Sequence, residues 1–180
     1  MRIISGKYKT KKLAVLKSND TRPTTDKVRE NIFNILGPIE GSVLDLFAGS
    51  GALGIEALSR GADEAMFIDG AKDAIGIIKE NTSGIDEPVE IFRNDYRRAL
   101  RAMSKRDRRF DLVFLDPPYH KGMVVTSLEL IDSLDILAEG GRIVVETHKD
   151  EVYQTPGHAS LREAVYGTIR INVLTKEGEL

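Results

Sequence analysis

Cysteine is absent from the 180-residue chain. That excludes disulfides and cysteine-based metal or redox chemistry, and it fits a cytoplasmic protein. Histidine is scarce: His120, His148 and His158 show no metal-ligand spacing, so no metal site is expected. Long apolar runs are missing too. No stretch approaches the roughly 18 consecutive apolar residues of a membrane span. The opening Met1-Arg2-Ile3-Ile4-Ser5-Gly6-Lys7 lacks the apolar core and cleavage site of a signal peptide. What remains is ordinary for a soluble globular chain, with 41% hydrophobic and 30% charged residues. This length predicts one core with a small extension, and a monomer.

Net charge is only −2, yet the charges are unevenly spread. Residues 1–40 carry Arg2, Lys7, Lys9, Lys11, Lys12, Lys17, Arg22, Lys27 and Arg29 against Asp20, Asp26, Glu30 and Glu40. A second cluster holds Arg97, Arg98, Arg101, Lys105, Arg106, Arg108 and Arg109 against Asp107. Local basic faces on a near-neutral protein suit a nucleic-acid enzyme, which needs a phosphate footprint without indiscriminate stickiness. The ordinary reading of such a run, the second one above all, is solvated surface.

From residue 42 onward short apolar runs alternate with helical patterns. Strands are expected at 42–47, 65–69, 89–92, 110–115 and 141–146, and helices at 52–60, 72–81, 96–104 and 123–137. Such alternation means crossover units and a parallel sheet covered on both faces. Leu161–Tyr166 and Thr168–Leu174, joined at Gly167, read as a closing antiparallel hairpin. At the other end, Arg2-Ile3-Ile4 and Leu13-Ala14-Val15-Leu16 are expected to pair as a hairpin, and Asp26–Leu36 to form a helix stopped by Gly37-Pro38. The fold class is thus α/β, divided as a basic hairpin and helix over 1–38 and a sheet domain over 39–180.

Between the first strand and its helix lies Asp45-Leu46-Phe47-Ala48-Gly49-Ser50-Gly51-Ala52-Leu53-Gly54. Glycines there permit a tight turn and close approach to a ligand. Gly49, Gly51 and Gly54 match G-x-G-x-x-G, and Asp69 follows at the distance of a ribose-binding acid, so the spacing alone permits NAD. Asp45 argues otherwise. A carboxylate just before the loop repels a pyrophosphate but suits an ammonium group, as in S-adenosylmethionine, which bears an ammonium and a sulfonium and no phosphate. Asp95 ends the third strand, where it could read an adenine amino group, and Asp116 ends the fourth. Each acid alone is more simply a helix cap. Four in succession, beside a glycine loop, point to a shared crevice at the strands' carboxyl ends.

Asp116 opens the run Asp116-Pro117-Pro118-Tyr119. Proline pairs often do no more than end strands. An acid, two prolines and an aromatic can also grip a flat molecule bearing an amino group. The carboxylate accepts from the amine, Pro117 has no competing N–H, and the tyrosine ring offers a stacking surface.

With Asp45–Ala62, this run resembles the class I S-adenosylmethionine-dependent methyltransferases acting on amino nitrogens. Arg2–Tyr8, Arg22–Leu36 and Leu46–Ala62 are similar to the bacterial 16S ribosomal RNA (guanine-N2) methyltransferases. The resemblance covers nearly the whole chain and is weakest in the last thirty or so residues. It implies a Rossmann-like sheet and S-adenosylmethionine as cofactor. Asp45, Phe47, Gly49, Gly51, Asp69 and Asp95 would line the cofactor site. Asp116, Pro117 and Tyr119 would be catalytic. Arg22, Pro23, Thr24 and Pro118 would hold the substrate, with Lys9, Lys11 and Lys12 on phosphates. The implied partner is 16S ribosomal RNA or a small-subunit assembly particle. Adenine-N6 and cytosine-N4 enzymes share the D-P-P-Y run. An NAD(P)-dependent oxidoreductase, a binding module on a dead methyltransferase fold and a side-chain amide methyltransferase are the other readings. The family usually has glutamate at Asp69 and commonly glycine at Thr10.

Overall fold

Two cores, one on each side of a single sheet, account for the apolar continuity of the strands. In the computed structural model, residues 1–17 and 25–179 are described, so the predicted substrate residues Arg22, Pro23 and Thr24 lie outside the described residues. Among the described residues the sheet has seven strands: β1 (Ser42–Asp45), β2 (Glu64–Asp69), β3 (Val89–Arg93), β4 (Phe110–Leu115), β5 (Leu137–His148), β6 (His158–Tyr166) and β7 (Ile169–Lys176). Their order is β3-β2-β1-β4-β5-β7-β6, parallel from β3 to β5 and antiparallel for β7 and β6. This is the Rossmann-like, mostly parallel sheet with a closing antiparallel hairpin that the alternating pattern predicts.

Side chains along a strand alternate between faces. Val43, Phe67, Leu112, Phe114 and Val144 therefore enter one core, while Leu44, Met66, Ile68, Val113, Leu115 and Val145 enter the other. Helices α1 (Asp26–Leu36), α2 (Ala52–Ser59) and α3 (Lys72–Thr82) contribute to the first core, and α4 (Tyr96–Lys105) and α5 (Met123–Ser133) to the second. α1 starts where the Thr25 hydroxyl accepts the Val28 N–H at 3.2 Å, and it ends at Gly37, whose φ is 69°. Its Ile32 and Phe33 are fully buried, with the Phe33 ring 5.8 Å from that of Phe114. A phenylalanine buried so completely contributes up to about 3 kcal/mol. α1 thus belongs to the same core as the sheet.

The amino-terminal segment folds back as the expected hairpin, but a short one: Met1–Ile3 lies against Lys11–Leu13, and Ala14–Leu16 takes no part. An antiparallel bridge joins Arg2 and Lys12, and beside it Ile3 N–H donates to Lys11 O at 3.0 Å and Leu13 N–H to Met1 O at 2.9 Å. Past this short ladder the next donors are engaged by helix side chains. Ile4 and Ser5 N–H donate to the Glu56 carboxylate at 2.9 and 3.2 Å, and Ala14 N–H donates to Asn81 Oδ1 at 2.8 Å. Glu56 also accepts Arg60 Nε at 2.9 Å and Arg29 Nε at 3.4 Å, and both Glu56 and Arg29 are fully buried. The segment is therefore both folded on itself and moored to α2 and α3.

The fifth strand differs as well. α5 stops at Ser133, four residues before the expected end, because Asp135 turns the backbone to a φ of 54°. Leu137 then pairs with Phe110 across a bulge, and β5 runs on to His148.

Candidate active site

The strand order reverses between β1 and β4, and the turns after these two strands open onto one cleft of about 1910 Å³. A parallel sheet leaves its crevice at such a switch, outside the strands' carboxyl ends. Asp45, Phe47, Gly49, Asp69, Asp95, Asp116, Pro117, Pro118 and Tyr119 all line it. These nine predicted residues come from four strand ends and are brought together by the fold.

Between β1 and α2 the chain turns sharply. Gly49 and Gly51 take φ values of 58° and 82°, the left-handed region that favours glycine. Gly51 precedes α2 as its N-cap without lining the cleft. Gly54 serves a different need: a Cβ there would stand 2.4 Å from Phe67 Cε1, so the helix can approach β2 only if the residue is glycine. The turn is tied from three directions. Ala48 N–H donates to Ile68 O at 2.9 Å, Gly49 N–H donates to Asp69 Oδ2 at 2.9 Å, and Asn81 Nδ2 donates to Ser50 O at 2.8 Å.

Only one of the four acids is a helix cap. Asp95 caps α4, accepting the Arg97 and Arg98 amides at 2.9 and 3.4 Å, and its side chain also pairs with Arg97. The Arg97 guanidinium holds the Asp95 carboxyl below the usual carboxylate range. Asp69 joins Gly49 to the Ala71 amide, the latter at 2.9 Å. Asp45 is 1% exposed and accepts Gly54 N–H at 3.0 Å. Burial pushes its carboxyl up to about 7, against the Gly54 bond, with Asp69 and Glu146 adding to the rise. A desolvated carboxylate beside two others is a place where a ligand cation would be stabilised strongly. The residues present thus fit the ammonium-bearing cofactor that the sequence suggests.

On the β4 side, Asp116 and Tyr119 are half-buried, Pro117 is buried and Pro118 exposed. Tyr119, His120 and His148 form a triangle of rings with centroids 5.9–6.5 Å apart. His120 holds a φ of 61°, and its amide donates to Glu151 Oε1 at 3.1 Å. Phe47 packs its ring 5.1 Å from that of Tyr96. Lys9, Lys11 and Lys12 do not line the cleft; Lys11 Nζ instead donates to Ser83 O at 2.8 Å.

Several lining residues escape the sequence patterns. Met1 and Ala14–Lys17 form one wall, and His148 and Thr168 lie on another. His148 could have been found from the order of the strands, since β5 runs beside β4 and Leu115 pairs with Val145. Asn81 is the residue with the least signal. It is buried within α3, and its amide holds Ser50 O together with the Ala14 amide and carbonyl. No group of three or more metal-ligating side chains occurs among the described residues, and no helix among them is long and apolar enough to cross a membrane.

Residues 1–175 match the family described as "Conserved hypothetical protein 95". The chain is 44% identical over 184 residues to the "Putative rRNA methyltransferase YlbH" of Bacillus subtilis, covering 99% of this chain and 100% of that protein. It is 37% identical over 166 residues to the "Ribosomal RNA small subunit methyltransferase D" of Haemophilus influenzae, covering 89% of this chain and 86% of that one. Among solved structures, the "Putative methyltransferase yhhF from Escherichia coli" superposes with a TM-score of 0.82 at 30% identity, covering 98% of each chain.

Proposed function

We propose that this chain, which belongs to the family described as Conserved hypothetical protein 95, is an S-adenosylmethionine-dependent methyltransferase acting on the exocyclic N2 of a guanine in small-subunit ribosomal RNA. One observation carries the reading. The buried Asp45 carboxylate lies under the glycine turn, in the same cleft as Asp116-Pro117-Pro118-Tyr119. The names of the two relatives support ribosomal RNA as the substrate. The choice of guanine N2 rests on the resemblance of the amino-terminal segment.

S-adenosylmethionine, when bound, supplies the methyl group and a sulfonium leaving group. Asp45 meets its ammonium group, Phe47, Gly49 and Gly51 shape its surroundings, Asp69 holds the ribose hydroxyls, and Asp95 lies at the adenine. The guanine N2 lone pair is delocalised into the ring and is a weak nucleophile. Asp116 and the Pro117 carbonyl oxygen accept its two N–H bonds, which aims the lone pair and stabilises the positive charge that develops on nitrogen. Positioning in line contributes the rest. Tyr119 and Pro118 pack on the base, and pulling the base from its stack costs a few kcal/mol. Residues 1–38, with Lys9, Lys11, Lys12 and Arg22–Thr24, contribute to the surface that faces RNA, and the enzyme works as a cytoplasmic monomer.

An NAD(P)-dependent oxidoreductase would need a pyrophosphate beside the Asp45 carboxylate, which opposes it. The test is incubation of the full chain with methyl-labelled cofactor and 16S ribosomal RNA from cells lacking this protein, followed by nucleoside analysis. Labelled N2-methylguanosine is expected. N6-methyladenosine or N4-methylcytidine moves the target base. Unlabelled RNA, with cofactor binding intact by calorimetry, overturns the RNA substrate.

A further inference from the structure

α4 carries its cations on the outside. Ala99, Leu100 and Met103 are buried against the sheet, and Arg98, Arg101 and Lys105 follow at helical spacing on the exposed side. Arg93 precedes the helix, its Nε donating to Gly70 O at 3.2 Å, and Arg106 caps its end; both are exposed. Other cations of this region are neutralised: Arg97 by Asp95, Arg108 by Glu64 and Glu90, and Arg109 by Asp135. Arg98, Arg101, Lys105 and Arg106 have no acidic partner within ion-pair distance among the described residues. Such an accumulation is maintained against self-repulsion, and a polyanion relieves it.

The face leads to the cleft, because Asp95, Tyr96 and Arg97 at the start of α4 line it. Its length suits a nucleic-acid backbone. The ten residues of α4 span about 15 Å at the rise of an α-helix. An aromatic residue stands on the same side. Val89 and Ile91 pack into the first core, so alternation along β3 turns Phe92 towards the face that α4 covers, and it is 43% exposed. Cations on a track with an exposed aromatic suit single-stranded nucleic acid, which offers phosphates and unstacked bases together. Of the amino-terminal lysines, Lys7 pairs with Asp86 and Glu87 and Lys11 is tied to Ser83 O, which leaves Lys9 and Lys12 as a smaller exposed pair.

We infer that the exposed face of α4, with Arg93, Arg98, Arg101, Lys105 and Arg106, is the principal track for the RNA backbone leading into the cleft. This rests on the RNA substrate proposed above. The test compares R98A/R101A/K105A with K9A/K11A/K12A in the full chain. Binding of a 16S RNA fragment is followed by fluorescence anisotropy from 50 to 300 mM salt, and cofactor binding by calorimetry. Alanine suits a helix surface, so the α4 variant should melt like wild type. It should bind RNA at least about tenfold more weakly, with a salt slope shallower by about 2, since each lost phosphate contact removes about 0.7–0.9. The K9A/K11A/K12A variant should lose less. An α4 variant that binds RNA as tightly as wild type overturns the track, and continued RNA methylation would leave the substrate reading standing. Wild-type protein that binds no RNA overturns both.

Discussion

Asp69 Oδ2 accepts the Gly49 amide at 2.9 Å, so the acid at the end of β2 holds the turn that follows β1. Its other oxygen takes the Ala71 amide, also at 2.9 Å. Asp69→Ala should therefore weaken S-adenosylmethionine binding at least about tenfold. It should also cost about 1–2 kcal/mol of stability through the two unpaired amides. Calorimetry and urea unfolding read the two effects separately. Unaltered affinity would mean that the turn keeps its shape without this acid.

Asp116→Ala should leave cofactor affinity near wild type and lower turnover by at least about a hundredfold, the scale of removing a donor or acceptor from developing charge. Single-turnover methyl transfer with saturating cofactor is the measurement. Near-normal rates would remove the carboxylate from the proposed grip on the amino group.

Burial holds the Asp45 carboxyl near 7, above its unfolded value of about 4. Between these values the folded chain binds more protons than the unfolded one. This residue's contribution to stability therefore falls as pH rises from about 4 to 7, and levels off above. Asp45→Asn should flatten that part of the profile. A bound ammonium reverses the preference, so wild-type cofactor affinity should rise from pH 5 to 7. Melting curves and calorimetry across this range test both; a pH profile unchanged in the variant removes Asp45 as its source.

Thr10 adopts a φ of 73°, unusual for a β-branched residue. Glycine takes this conformation without the steric cost, which is about 1–2 kcal/mol. Thr10→Gly should therefore raise stability by about 1 kcal/mol in urea unfolding and leave turnover unchanged. Destabilisation would show that the threonine side chain contributes more than its backbone costs.

Glu56 and Arg29 are both fully buried, and Glu56 also receives the Ile4 and Ser5 amides. Glu56→Ala removes the buried one of Arg29's two carboxylate partners, leaving Asp26 at 3.0 Å, and a loss of about 3 kcal/mol, the low end for a broken buried pair, is expected. Ordered protein with wild-type stability would mean that Arg29 finds solvent or its remaining partners at little cost.

Much of this was readable beforehand. The nearly continuous apolar run of Phe110–Leu115 and the helical spacing of Val28, Ile32 and Leu36 express burial directly, so fold class follows from them. Positive-φ glycines and an acid before them are likewise local signals. Residues whose partners are far along the chain left no such trace. Asn81 looks like any polar residue of a helix until Ser50 and Ala14 arrive beside it. The expected pairing of Leu13–Leu16 goes no further than Leu13 for a related reason: Asn81 takes the Ala14 amide and carbonyl, and no propensity of the strand sequence could reveal that competitor. Four acids at strand ends were legible as a set, yet telling the cap Asp95, the brace Asp69 and the buried Asp45 from the half-buried Asp116 needed coordinates.

The mooring of residues 1–14 to Glu56 and Asn81 bears on how the protein can be dissected. A shortened chain starting at residue 39 would bare Phe114 where Phe33 covers it and deprive both polar anchors of their mates. Amputating the basic leader to obtain a minimal catalyst would thus harm the scaffold beneath the glycine turn. Loss of activity in such a fragment would say nothing about which surface touches RNA.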